Sequence, residues 1–228
     1  MTIPLSILSA FLLLPFHGTW KAGETITQEE IEKIGIEECF KAEEIDSATL
    51  QRMKGKTYKA DCKVPVGQLR YVKLLHYNFD GNPQMGELVC NKAITSDIID
   101  IFKNLYDEHY QIGRMVLADE YDADDERSMA DNNTSCFNYR HVSGTKVLSK
   151  HSLGMAIDIN PLFNPCVRTK KGKTSVEPAA AQPYANRTKQ FAHKITKNDL
   201  CYQLFIQHGF IWGGNWRSSK DYQHFEKN

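Results

Sequence analysis

Neither sign of charge prevails in this 228-residue chain, where 28 Lys and Arg offset 28 Asp and Glu. A balanced chain raises no strong field for gathering nucleic acid or an anionic membrane, so a small or neutral partner fits better. Long apolar runs are also missing. The most hydrophobic stretch, Ile3 to Phe16, falls short of the about 18–20 residues that a spanning helix requires. It reads instead as the core of a secretory signal peptide over residues 1–23. No Lys or Arg precedes the run and no clean Ala-x-Ala site precedes Gly23, which leaves an N-terminal anchor or a misassigned start as alternatives. On the leader reading the mature chain has no stable membrane span and is exported, to the periplasm or cell envelope or beyond it.

Paired cysteine motifs are absent too. Cys39, Cys62, Cys90, Cys136, Cys166 and Cys201 are dispersed with no C-x-x-C, which argues against a structural cysteine-zinc site. They are either disulfides, in a connectivity the spacing does not choose, or buried thiols packing as small hydrophobes. Internal repeats and low-complexity tracts are lacking.

What is present has the pattern of mixed helix and strand. Thr27-Gln-Glu-Glu30 has the form of a capping box, predicting a short helix that ends near Gly35. A second short helix is expected from Asp46 to Met53, and residues 24–65 read as an N-terminal helical extension. The aromatic and aliphatic run Leu69 to Phe79 predicts a long strand stopped by Asp80-Gly81, and Glu87 to Cys90 a short second strand. Ile98, Ile101, Phe102, Leu105 and Tyr106 recur at helical spacing and mark the clearest amphipathic helix. Arg114 to Ala118 predicts a buried strand, followed by an acidic loop, Asp119 to Glu126. Residues 168–197 are polar, aperiodic and expected to be a long surface excursion. Asp199 to His208 predicts a helix ended by Gly209, and Phe210 to Trp212 and Tyr222 to Glu226 predict final strands.

Two separated motifs carry the chemistry: Ser149-Lys-His151-Ser-Leu-Gly154-Met-Ala156-Ile-Asp158 and Asp221-Tyr-Gln-His224. A catalytic zinc takes three ligands from His and carboxylate and leaves a position for water, whose pKa it lowers to about 7. His151, Asp158 and His224 supply such a set. Strand parity puts Gly154, Ala156 and Asp158 on one face and Met155, Ile157 and Ile159 on the other. His151 lies at an odd offset from Asp158, so a turn or bulge at Gly154 is needed to bring it back. Asp221 is a spare carboxylate suited to general-base work, and Glu226 could orient the His224 ring. The bland alternative makes His151 and Asp158 ordinary turn and strand-end residues; the second motif argues against it. His76, His109, His141, His193 and His208 need no function, and the helix-borne His-Glu-x-x-His of other zinc proteases is absent.

The Ser-x-His-x-x-Gly-x-Ala-x-Asp segment at 149–158 and the Asp-x-x-His at 221–224 resemble the zinc D,D-carboxypeptidases, D-Ala-D-Ala dipeptidases and L-alanyl-D-glutamate peptidases that cut bacterial cell-wall peptides. The resemblance implies zinc on His151, Asp158 and His224, with Asp221 as base. Arg127-Ser128 through Asn133 is similar to the family's Arg-Ser-x-x-x-x-Asn segment, which implies Arg127 as the residue that holds the substrate's carboxylate or carbonyl. Arg140 is its rival, and Ser149 a further positioning hydroxyl. The implied fold over 66–228 is α+β, with a central antiparallel sheet, helices on one face and zinc at the sheet's open edge. The implied substrate is a peptidoglycan stem peptide or another peptide containing D-amino acids. The chain departs from the family in two places: Asp221 stands where the dipeptidases have Glu, closer to the L-alanyl-D-glutamate enzymes, and Gln223 stands where Pro is frequent. A noncatalytic zinc-containing wall-binding module of the same fold is the alternative, and an N-terminal segment that regulates the peptidase or binds a partner is a third reading.

Overall fold

The computed structural model describes residues 20–142 and 144–228; most of the expected leader, residues 1–19, lies outside the described residues. The first helix, α1 (Gln28–Ile34), starts where the capping box sets it: Thr27 Oγ1 accepts the Glu30 N–H and Glu30 Oε2 accepts the Thr27 N–H. Gly35, at φ +87°, ends it. Asp46 caps α2 (Ser47–Met53) through the Thr49 N–H. Between these helices runs a strand absent from the helical expectation for 24–65, β1 (Lys41–Glu44).

β1 joins β2 (Leu69–Tyr77) and β3 (Pro83–Asn91) in an antiparallel sheet of order β1-β2-β3. β2 stops two residues short of the expected Phe79 because Asn78 Oδ1 accepts the N–H groups of both Asp80 and Asn82, turning the chain into a hairpin. β3 is longer than its apolar residues suggest. Register from Tyr77↔Pro83 to Leu69↔Asn91 carries pairing through Pro83, Gln84 and Gly86, whose types favour no strand. Gly86 has a packing reason, since a Cβ there would lie 2.4 Å from the Met115 side chain and 3.1 Å from the Leu74 carbonyl. On this sheet lies α3 (Thr95–Asp107), burying Ile98, Ile101, Phe102, Leu105 and Tyr106 as their spacing predicts. Fully burying each such side chain contributes roughly 1.5–3 kcal/mol.

The single central sheet of the expectation is not what forms. Two further three-stranded antiparallel sheets follow, in orders β4-β9-β7 and β6-β5-β8. The first contains β4 (Ala156–Asp158), β7 (Ile211–Trp212) and β9 (His224–Glu226). The second contains β5 (Cys166–Lys170), β6 (Lys173–Glu177) and β8 (Ser219–Asp221). The α+β class holds with three small sheets, because strands this short end before they can extend one ladder. The β5–β6 hairpin also corrects the aperiodic excursion expected over 168–197. Its tip, Lys171-Gly172, has positive φ at both residues, as a two-residue hairpin turn demands, but its strands are too polar to show alternation.

Arg114 to Ala118 is buried at Met115, Val116 and Leu117 without becoming a regular strand. Side chains replace the missing ladder: Asn133 Oδ1 accepts the Val116 N–H, Asn133 Nδ2 donates to the Val116 carbonyl, and Glu87 Oε1 accepts the Leu117 N–H. The acidic loop after it is partly helical, with a 3-10 turn at Ala118–Tyr121 and α4 at Asp125–Ala130. The last helix, α5 (Leu200–Gln207), is capped by Asp199 and followed by Gly209 at φ +80°. One core cluster runs from Ile26, Phe40 and Leu74 to Ile157, Ile159 and Phe225, so the apolar face of β4 rests on the same core as α3. All six cysteines are free.

Candidate metal centre

Asp158 and His224 are directly opposed in the β4–β9 register. His151 comes from a 3-10 turn, Lys150–Leu153, whose first N–H groups need a cap; Ser149 Oγ accepts the His151 N–H at 3.2 Å. Gly154 closes this turn at φ +66°, which supplies the reversal that strand parity requires. It also sits so close to β3 that a Cβ would lie 2.7 Å from the Asn91 nitrogen, while its carbonyl accepts the Asn91 N–H.

The three side chains converge. His151 Nε2 lies 3.2 Å from Asp158 Oδ2 and 3.2 Å from His224 Nδ1, and His224 Nδ1 lies 3.0 Å from Asp158 Oδ1. One donor atom from each falls within 4.8 Å of the others. Each ring has its remaining nitrogen committed elsewhere. His151 Nδ1 donates to the Cys136 carbonyl at 2.6 Å, and His224 Nε2 donates to Glu226 Oε2 at 3.0 Å. Outer partners of this kind fix the orientation of an imidazole and leave its other lone pair for a metal.

Burial disfavours the charge on Asp158, but the adjoining His151 and His224 outweigh it and hold this carboxyl well below the usual carboxylate range. Burial likewise opposes the charge on His224, and its bonds to Asp158 and Glu226 overcome that and carry its pKa up to about 10. Asp221 goes the other way. Burial pushes its carboxyl up, with His224 opposing and Asp158 reinforcing the rise. Its backbone pairs with Cys166 on β5, and its Oδ1 is shielded from solvent without a hydrogen-bond partner among the described residues. Gly213 makes room for this arrangement, because a Cβ there would stand 2.8 Å from the Asp221 Cβ and 3.3 Å from the His224 Cβ.

These groups open onto a cavity of ≈ 550 Å³ whose wall also includes Arg140, Arg168, Trp216 and Gln223. A second hollow, of ≈ 410 Å³ between α1 and α3, contains none of them. Of the residues expected at the site, Ser149 and Arg140 line the cavity and Arg127 does not. Arg127 lies on α4 with its side chain 60% exposed, 3.6 Å from Asp122. Its companions in the motif have structural tasks: Ser128 Oγ accepts from Asn133, whose amide in turn braces Val116. Arg140 is held as an ion pair with Asp125. Arg168, paired with Glu177 at 2.6 Å, escaped sequence reasoning, as did Trp216 and the Cys136 carbonyl. No spacing pattern marks them, since the unpredicted β5–β6 hairpin and backbone geometry bring them in.

Residues 143–227 match the family model described as D-alanyl-D-alanine carboxypeptidase, and this segment contains His151, Asp158, Asp221 and His224. Comparison with curated proteins and with solved structures gives no match. The matched segment is little more than a third of the chain, and the likeness applies to that segment.

Proposed function

We propose that this peptidase hydrolyses an amide bond in bacterial peptidoglycan stem peptides, with zinc held by His151, Asp158 and His224. The observation that carries the reading is the inward-facing His-Asp-His set, with both outer ring nitrogens already bonded to oxygen. Two imidazoles and a carboxylate with room for a further ligand are the donor chemistry of a catalytic zinc site. When bound, the ion supplies Lewis acidity toward the scissile carbonyl and the attacking water.

The chain's own residues do the rest. Asp221 takes the proton from the attacking water and returns it to the leaving amine. Its burial favours that exchange, because desolvation raises the carboxylate's affinity for the proton it must take up. Asp158, held ionised in the same site, cannot share the role. Two carboxyl groups with opposite shifts thus divide the work of binding and proton transfer. Arg140 and Arg168, each held by an acid on one side, offer guanidinium groups to the substrate's carboxylate or carbonyl. Ser149 Oγ accepts the His151 N–H while its own proton is left to donate into the cavity. The proposed substrate lies outside the cytoplasmic membrane, so we place the chain in the periplasm or cell envelope.

Mass spectrometry of peptidoglycan fragments incubated with the protein tests this. Zinc-loaded protein should release a defined peptide product, and a chelator should abolish it until zinc is restored. Retention of zinc with no product from any fragment would instead favour a wall-binding module. The product masses distinguish loss of a terminal D-Ala from an internal cut.

A further inference from the structure

The overall balance of charge conceals a division along the chain. Residues 132–228 hold 14 of the 28 Lys and Arg but only 5 of the 28 Asp and Glu, so the half that contains the centre is basic and the half before it acidic. Within the basic half, cations concentrate on the β5–β6 hairpin. Its one acid, Glu177, is taken by Arg168 at 2.6 Å, while Lys170, Lys171 and Lys173 are exposed and pair with no acid among the described residues. Lys170 and Lys173 are direct cross-strand partners, and like charges set opposite each other destabilise a ladder. Such a pair is accounted for when an anion settles between the two ammonium groups.

The pairing also fixes which way these lysines face. Thr169 and Thr174 share a hydroxyl hydrogen bond of 3.1 Å on one face of the hairpin, and Arg168 donates to Glu177 on the other. Alternation then puts Cys166, Arg168 and Lys170 on the second face, with Asp221 opposite the first of them and Lys173 opposite the last. Cys166, Arg168 and Asp221 line the cavity. One sheet face therefore runs from the proton carrier past Arg168 to the lysine pair, which stands about 13 Å farther out along the strand. An anion held there lies beside the peptide being cut. The hairpin has no aromatic side chain to stack a nucleic-acid base and no exposed apolar one to enter a lipid surface.

We propose that Lys170 and Lys173 form a docking surface for carboxylates of the polymer that carries the scissile peptide, holding the cavity against the cell wall. The choice of polymer rests on the peptidase reading. It is tested by pelleting zinc-loaded protein with insoluble peptidoglycan freed of phosphate-bearing polymers, beside turnover of diacetyl-L-Lys-D-Ala-D-Ala. The one carboxylate of that peptide is a single residue from the scissile bond and stays far short of the lysine pair. Lys170→Gln combined with Lys173→Gln should weaken pelleting about fivefold at about 0.05 M salt. Hydrolysis of the insoluble material should slow by a similar factor, with zinc content and turnover of the short peptide at the wild-type level. About 0.5 M salt should remove the difference, because exposed charges are then screened. Equal pelleting and equal hydrolysis of the wall by the two proteins overturn the proposal and leave the peptidase reading standing. Wild-type protein that ignores this peptidoglycan and pellets instead with anionic vesicles or with phosphate-bearing wall also overturns it. Salt-sensitive pelleting that the substitutions weaken, with no turnover of the wall or the short peptide, strikes the peptidase reading and leaves the docking surface standing.

Discussion

The sheet that supports the molecule and the two sheets around the centre are stabilised in different ways. β2 and β3 each run for 9 residues in continuous register and carry the apolar face of α3. β4 and β9 are 3 residues each, too short to hold their direction by ladder bonds alone. Around them the chain is braced by buried amide side chains. Asn160 Oδ1 accepts from the Gly113 N–H and from Asn132 Nδ2, and Asn164 joins the Ile195 N–H to the His193 carbonyl. Long apolar elements give a stiff platform, while short strands held by side-chain hydrogen bonds can point polar groups into a cavity without filling it. Stability resides mostly in the first region and aim in the second.

Substitutions should separate the two. Phe102→Ala, in the α3 face, should cost about 3–5 kcal/mol in denaturant unfolding and leave zinc affinity of the folded protein nearly unchanged. A loss of affinity as large as the loss of stability would show that platform and site are not separable.

His76 gives the platform a pH dependence. Burial lowers its pKa to about 4 from an ordinary 6.5, with its bonds to Tyr77 and Ile112 only partly opposing. The folded-state value is depressed, so the unfolded chain binds the proton more readily between these values. Its contribution is complete above pH 6.5 and is lost as pH falls through about 4, an effect of about 3 kcal/mol. His76→Gln should flatten the acid limb of a stability–pH curve by that share; an unchanged limb would contradict it.

Asn160→Ala, in the second region, should cost only about 1–3 kcal/mol of stability yet weaken zinc binding, because Asn160 follows Asp158 by two residues. Stability loss with zinc affinity intact would remove the argument that the amide network aims the centre.

Much of the platform was legible in the sequence, because α3 and β2 are repetitive and apolar and repetition is what periodicity detects. The capping box at Thr27 and the helix end at Gly209 were legible for a local reason, since each is a few residues acting on themselves. β1 and the β5–β6 hairpin were not, because their exposed, charged residues form strands only through partners far away in sequence. At the centre, the convergence of His151, Asp158 and His224 and the reversal at Gly154 follow from motif and parity. Arg168 and Gln223 did not stand out as site residues, since nothing local distinguishes a surface arginine or glutamine from one at a cavity wall. Arg127 shows the converse: its motif is present, and the structure uses its serine and asparagine to brace a neighbouring segment.

The central claim is that binding and proton transfer are divided between Asp158 and Asp221, and Asp221→Asn tests it most directly. Zinc content by inductively coupled plasma mass spectrometry, measured beside peptide turnover on the same sample, should show metal at the wild-type level and turnover reduced by about 10²- to 10⁴-fold. Undiminished turnover with zinc in place would contradict the account.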